Sequence, residues 1–285
     1  MAKVSGSVAI NKAFDSFRPG WRAAWGALLL LAAANFALQV WAAAIGVGSA
    51  GASPTASDLA AHVGLFLLLI PLLVLVVAAS VMATTALYRI ALGQTAELGP
   101  AGLQWRADEW RVLGATILMG LAMAPIVAIW GGAIVYVTVQ ASAGHDKGAA
   151  AAAVGWMMLS LLVFVPVFIW ISVRLSPFLA ASVDQKRIVL FAAWPMTGGS
   201  FWSIFGAGFV VSLAAGLVAI MGQILALAIK AAEGGIVHQT PLQAMLPALV
   251  QALAAVALVP TKVGLMGHIY KTIRPSQAHI AEIFS

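Results

Sequence analysis

Residues 201–229 read FWSIFGAGFVVSLAAGLVAIMGQILALAI, which is 29 consecutive positions without an Asp, Glu, Lys or Arg. About 20 apolar residues in a helix cross the hydrocarbon core of a bilayer. Five further stretches of similar character predict membrane spans at 25–47, 63–87, 112–137, 152–173 and 246–267. The sequence therefore predicts an all-α integral membrane protein with six transmembrane helices.

Composition supports the same class and excludes several others. The chain is 62% hydrophobic and only 8% charged, whereas soluble domains carry about 25% charged residues. It contains no Cys, which excludes disulfides and thiolate metal sites. The net charge of +6 comes from basic residues scattered singly, so we expect no nucleic-acid partner. Anionic lipid headgroups at the cytoplasmic face are the expected counterpart.

Lys and Arg fall almost entirely on alternate sides of the predicted spans. The connections on the opposite side hold only two basic residues, Lys147 and Lys230. Because basic flanks stay on the cytoplasmic side, both termini should face the cytoplasm of a bacterial inner membrane. The alternative is a cleaved signal within residues 1–44, with Ala42-Ala43-Ala44 as its cleavage site. The basic residues on the cytoplasmic side are Lys3, Lys12, Arg18, Arg22, Arg89, Arg106, Arg111, Arg174, Lys186, Arg187, Lys262, Lys271 and Arg274.

Two short patterns recur about every ninety residues. An aromatic residue followed closely by Gly-Ala enters the first, third and fifth spans, and a cation followed by a branched aliphatic residue ends the second, fourth and sixth. This predicts one transmembrane domain, 1–285, of three parallel helical-hairpin repeats at 7–92, 93–180 and 181–270, with a tail at 271–285. The alternative is that any hairpin which starts and ends in the cytoplasm carries an interfacial Trp and a terminal cation.

The cytoplasmic segments show helical spacing of their own, which predicts amphipathic helices lying in the interface. They would seal the mouth of the bundle or rest on lipid headgroups, and the alternative is docking of a partner. Residues 103–110 match weakly. The stronger matches are 7–18, with Ile10, Phe14 and Phe17 on one face and Pro19-Gly20 as its end, and 178–194, with Ser182 or Asp184 as cap and Ile188, Phe191 and Trp194 on one face.

One loop resembles a known family. It reads Arg174-Leu175-Ser176-Pro177, then small residues and Lys186-Arg187, then Phe191-Ala192-Ala193-Trp194, Gly198-Gly199 and Phe201-Trp202. This pattern resembles the loop of bacterial YciC-like inner-membrane proteins and of the membrane domain fused to some glycerophosphoryl diester phosphodiesterases. The resemblance implies a multi-helix membrane module. It does not imply phosphodiesterase chemistry, because a separate barrel carries that activity in the fused proteins.

Candidate chemical groups are few. Asp108 and Glu109 stand beside Arg106 and Arg111, which predicts a solvated mixed-charge surface. The sequence predicts no catalytic residues, no cofactor and no metal. The alternative is a metal site at the outer turns formed by His62, His145 and His238.

Two sets of residues remain as candidate contacts. Arg89, Arg174 and Lys262 would lie at one depth at the cytoplasmic rim and contact anionic lipid, or else simply snorkel to the interface. The intramembrane amides would join helices by hydrogen bonds of roughly 1 kcal/mol, or line a polar solute site. These amides are Asn35, Gln39, Gln223 and Gln251.

These patterns predict a non-enzymatic inner-membrane protein with an accessory, assembly or lipid-interacting role, and a membrane-protein partner is compatible with them. The alternative is a small transporter or channel that uses the Pro-broken helices and the amide face. A third hypothesis, an embedded enzyme, requires carboxylates or His from separate loops within contact distance.

Overall fold

The computed structural model describes residues 4–44, 67–143, 147–189, 193–232 and 241–274. Every regular element within those ranges is a helix. Two short 3₁₀ turns, Thr95–Glu97 and Pro100–Gly102, lie between the third and fourth α-helices. In chain order the α-helices are α1 Gly6–Asp15, α2 Phe17–Ala44, α3 Leu69–Leu92, α4 Ala107–Ala143, α5 Lys147–Leu175, α6 Phe178–Asp184, α7 Ala193–Met196, α8 Phe201–Ala232, α9 Pro241–Ala257 and α10 Val259–Ile273.

Five segments are apolar and long enough to cross a membrane, by length and composition. They are Phe17–Ala42, Leu69–Leu92, Met158–Asp184, Phe201–Ile229 and Met245–Ile273. They overlap five of the six predicted spans, and they agree with an all-α, multi-pass membrane protein. The remaining predicted span, 112–137, lies within the 37-residue helix α4, and the count of six stays a prediction.

The buried core is concentrated where the short helices meet the ends of the long ones, a region that we call the packed end. Its largest cluster joins α2, α3, α6 and α10 through side chains such as Leu28, Leu87, Val183 and Tyr270. A second cluster joins α1 to α8 and α10. Elsewhere the long helices expose large apolar side chains. In the most apolar window of Met158–Asp184 only 6% is buried, which is typical of a helix that faces lipid rather than a protein core.

Small residues allow helices to approach closely around the core. A side chain at Gly222 of α8 would collide with Ala254 of α9, and one at Gly267 of α10 would collide with Ala91 of α3. At Gly264 an added methyl would overlap the hydroxyl of Ser16. Close approach at small residues is the usual packing mode of membrane helices, because lipid supplies no hydrophobic force between them.

Helix α1 forms where an interfacial helix was predicted, but it uses another face. Ala9 and Ala13 are fully buried against α8 and α10, whereas Phe14 and Phe17 remain about 40% exposed. The expected end at Pro19-Gly20 is wrong, since α2 already begins at Phe17. Pro19 falls in the first turn of α2, where its missing N–H has no intrahelical acceptor to lose.

The helix predicted over 178–194 is also wrong. Helix α6 ends at Asp184, and Lys186 then adopts a left-handed φ of 52° that turns the chain. Ser182 lies inside α6 rather than at its cap: its hydroxyl donates to the carbonyl of Phe178 and accepts from the N–H of Val189. Phe191 lies outside the described residues. The weaker match at 103–110 becomes helical only from Ala107.

The long helices follow one another as pairs that pack together, α2 with α3, α4 with α5, and α8 with α9. Each pair follows at least one short helix or 3₁₀ turn. The third returning segment is divided into α9 and α10 at Leu258, because Pro260 stands in the first turn of α10. The three repeats at 7–92, 93–180 and 181–270 stay a prediction.

Candidate functional site

Arg89 near the end of α3 lies at the centre of a buried charge cluster. Its side chain is 1% exposed, and its Nη2 donates to Asp108 Oδ2 at 2.9 Å. Its Nη1 lies 3.1 Å from Glu109 Oε1, and Glu109 is also 1% exposed. Arg111 pairs with the other carboxylate oxygen of Asp108. Two cations therefore balance two carboxylates.

The first turn of α4 positions both carboxylates. Glu109 Oε2 accepts from the backbone N–H of Arg106 at 2.7 Å, which is the returning half of a capping box. Asp108 and Glu109 also face the positive end of the helix dipole. Carboxylates directly before an apolar run predict the start of a helix, but they do not predict an ion pair with Arg89, which lies 19 residues earlier in the chain.

Electrostatics favours the charged form of Asp108. Burial alone raises the pKa of Asp108, but hydrogen bonds and charges from Arg89 and Arg111 outweigh it and hold that pKa below its usual value. The solvated mixed-charge surface predicted for Asp108 and Glu109 is wrong, since both residues are buried. Arg89 is likewise buried in ion pairs and presents no surface to a lipid headgroup.

A second polar cluster centres on Asp184 at the end of α6. Tyr270 of α10 donates its hydroxyl to Asp184 Oδ2 at 2.9 Å, and Arg274 lies 3.5 Å from the same oxygen. Gln94, just after α3, donates to Asp184 Oδ1 at 3.4 Å. Asp184 therefore ties α6 to α10 and to the segment after α3. Sequence reasoning considered this residue only as a helix cap.

Arg174, next to the last residue of α5, is held differently from Arg89. Its Cζ lies 5.9 Å from the ring centroids of both Trp170 and Trp194. These two rings meet edge to face at 4.9 Å. The Nε of Arg174 is buried without a hydrogen-bond partner. Among the residues that the structure describes, no carboxylate lies within ion-pair distance of this guanidinium.

An apolar groove runs between α5 and α8 beside Arg174. It comprises a cavity of about 290 Å³ and a neighbouring one of about 640 Å³, and both are lined by Ile169 and Phe205. Trp170, one of the two rings at Arg174, lines the larger cavity. The groove is open to the outside, since Trp202 is 77% and Phe209 57% exposed. A third apolar cavity, of about 310 Å³, lies between α4 and α5.

The other predicted contact residues do not converge. Lys262 is exposed, and Asn35 donates to the carbonyl of Leu31 in its own helix at 2.8 Å. Gln223 is exposed, and Gln39 and Gln251 are partly buried. The three cavities described above are lined without any of the four amides.

Metal-ligating groups do not gather in the described ranges, where no three His, Cys, Asp or Glu side chains are close enough to hold an ion. His62, His145 and His238 lie outside the described residues.

The loop that carries the family resemblance forms the last turn of α5, the whole of α6 and α7, and the start of α8. It contains Arg174 and Trp194, one of the two Trp rings at that guanidinium. No family model, no curated protein and no solved structure matches this chain. The resemblance to YciC-like proteins therefore stays an expectation from the residues of this loop.

Proposed function

We propose that this chain is a non-enzymatic, multi-pass protein of the bacterial inner membrane whose role is to bind membrane lipid. The proposal includes the YciC-like membrane module implied by residues 174–202. Five helices apolar enough to cross a membrane support the location. The lipid role is supported by one observation above the others, the open apolar groove between α5 and α8.

The proposed orientation places both termini and the packed end in the cytoplasm. Arg89, Arg174 and the Asp184 cluster belong to elements that meet at this end. Thirteen of the 15 basic residues belong to segments on this side, which is the distribution that the positive-inside rule associates with the cytoplasm.

The groove supports lipid rather than a solute as the ligand. Ligand pockets typically enclose about 300–1,000 Å³, and the two linked cavities, of about 290 and 640 Å³, fall close to or within that range. Their walls are almost wholly apolar, with only Ser172, Ser176 and Ser212 adding hydroxyls. An acyl chain meets these walls without leaving a polar group unsatisfied, whereas a hydrophilic solute would lose its hydration there.

Buried charge supports a non-enzymatic role. The carboxylates of Asp108 and Glu109 are paired with Arg89 and Arg111 and are therefore not free to act as acid or base. A general base must reach a substrate proton at about 2.6–3.2 Å, and these carboxylates face the cluster itself.

Native mass spectrometry tests the proposal. The protein is released from its own membrane in lipid nanodiscs, and every species that stays bound is recorded. We expect one or a few retained phospholipids and no stoichiometric solute. A retained hydrophilic solute would favour the transporter alternative, and a stoichiometric protein partner without lipid would replace lipid binding by an assembly role.

A further inference from the structure

Arg89 and Arg174 stand at corresponding places in the chain. Arg89 pairs with Asp108, 19 residues further on, and with Glu109 beside it. Asp108 and Glu109 stand in the first turn of α4, the long helix that follows α3. The long helix that follows Arg174 is α8, and its first turn begins with Phe201, Trp202 and Ser203. The second place thus has the cation of the first but neither of its two carboxylates.

The absent carboxylates leave the charge of Arg174 without a protein counter-ion in the described part of the chain. Two Trp rings offset this by cation–π contact at 5.9 Å, which contributes less than a hydrogen-bonded carboxylate. The buried Nε of Arg174 also lacks an acceptor. A guanidinium with unused donors fits the oxygens of a phosphate or carboxylate, because its planar fork donates two parallel hydrogen bonds.

The apolar groove beside Arg174 indicates what kind of anionic ligand would bind there. Trp170 belongs both to the ring pair at Arg174 and to the groove wall. Arg174 itself lines neither cavity, so this one ring separates the cation from the apolar surface. A ligand that reaches both has an anionic head and an apolar chain.

Resting on the lipid-binding role proposed above, we propose that Arg174 and the α5–α8 groove bind one anionic phospholipid. Its phosphate takes the place that Asp108 and Glu109 take at Arg89, and an acyl chain lies along Ile169 and Phe205. The Trp rings hold the guanidinium beside the groove, and the exposed side of the groove lets the lipid enter from the bilayer.

The test uses the whole chain, delipidated in detergent and titrated with phosphatidylglycerol or with diacylglycerol, which has the acyl chains but no phosphate, and bound lipid is counted by native mass spectrometry. We expect phosphatidylglycerol to bind about tenfold more tightly than diacylglycerol. Arg174→Gln should remove that preference, since one charge-assisted contact is worth about tenfold. Lys262→Gln, at an exposed cation, should keep it. Equal binding of the two lipids by the unsubstituted protein would overturn the inference without any variant.

Two glycines of α8 test the groove itself. Neither Gly206 nor Gly208 has an atom within 4 Å of an added Cβ, so a side chain can start from either backbone position without a clash. Gly208 lines the groove and Gly206 does not. We expect Gly208→Leu to weaken both lipids and Gly206→Leu to weaken neither.

The two sets of variants separate the inference from the function on which it rests. If Gly208→Leu weakens both lipids but Arg174→Gln leaves the preference unchanged, the anion site is refuted and lipid binding stands. If no variant changes the binding of either lipid, the groove is not the lipid site; if neither lipid binds the unsubstituted protein, both proposals fail.

Discussion

Removing Arg89 tests the buried charge cluster most severely. Arg89→Met keeps much of the side-chain volume but leaves Glu109, which is 1% exposed, without its cation. Asp108 keeps only Arg111. Breaking a buried ion pair from one side costs about 3–5 kcal/mol, because a charge remains in a low-dielectric site. We expect a loss of that size in the free energy of unfolding, measured by tryptophan fluorescence during titration of detergent-solubilised protein with SDS.

The double variant Arg89→Met/Glu109→Met separates charge from packing. It removes the uncompensated charge, so most of the loss should return. About 1 kcal/mol should remain missing, because Glu109 also accepts from the N–H of Arg106 at the start of α4. Lys12→Met is the matched surface control: the Lys12–Asp15 pair is 59% and 68% exposed and should contribute less than about 1 kcal/mol. A single variant as stable as the unsubstituted protein, or a double variant as unstable as the single one, would refute the reasoning.

Three further perturbations have defined outcomes. Folding lowers the pKa of Asp108, so the ionised Asp108 stabilises the protein fully above about pH 4, its pKa in the unfolded chain. This stabilisation is lost as the pH falls through that value towards the folded pKa. Unfolding midpoints should therefore fall less steeply from pH 7 to pH 3 in Asp108→Asn than in the unsubstituted protein, and parallel curves would contradict this. Gly264→Ala should lower the free energy of unfolding by about 1–3 kcal/mol, because a methyl group there has no room. Gly216→Ala places its methyl in open space and should change the free energy of unfolding by less than about 1 kcal/mol. Equal effects of the two variants would count against the close approach of helices at Gly264. Tyr270→Phe removes a 2.9 Å hydrogen bond to a carboxylate and should cost about 1–2 kcal/mol by the same SDS titration, whereas an unchanged midpoint would show that the bond adds no stability.

Uncharged runs were enough to predict the fold class. Residues 201–229 became most of α8, and the stretches around 25–47 and 63–87 overlap α2 and α3. Helix formation within such runs needs no tertiary information, because each backbone group must be satisfied inside its own segment in lipid. Helix ends were less accurate. Pro19 was expected to end a helix and instead stands in the first turn of one, because a proline is tolerated equally well on either side of such a boundary.

The candidate site was beyond sequence reasoning for a different reason. Asp108 and Glu109 stand next to two Arg residues and look like a solvated surface, since a sequence shows neighbours along the chain but not burial. Their main partner is Arg89, brought to them by the packing of α3 on α4. On α1, the buried face belongs to Ala9 and Ala13 and not to the larger aromatic residues, because close approach to α8 and α10 favours small side chains. Arg174 was identified from the sequence, but the groove beside it depends on the distance between α5 and α8.

Cryo-electron microscopy of the protein in nanodiscs containing phosphatidylglycerol tests the proposal that the α5–α8 groove holds a phospholipid with its head at Arg174. We expect an elongated density along Ile169 and Phe205 that ends at the guanidinium beside Trp170 and Trp194. A groove closed by direct packing of α5 on α8, or filled by a protein helix, would contradict it.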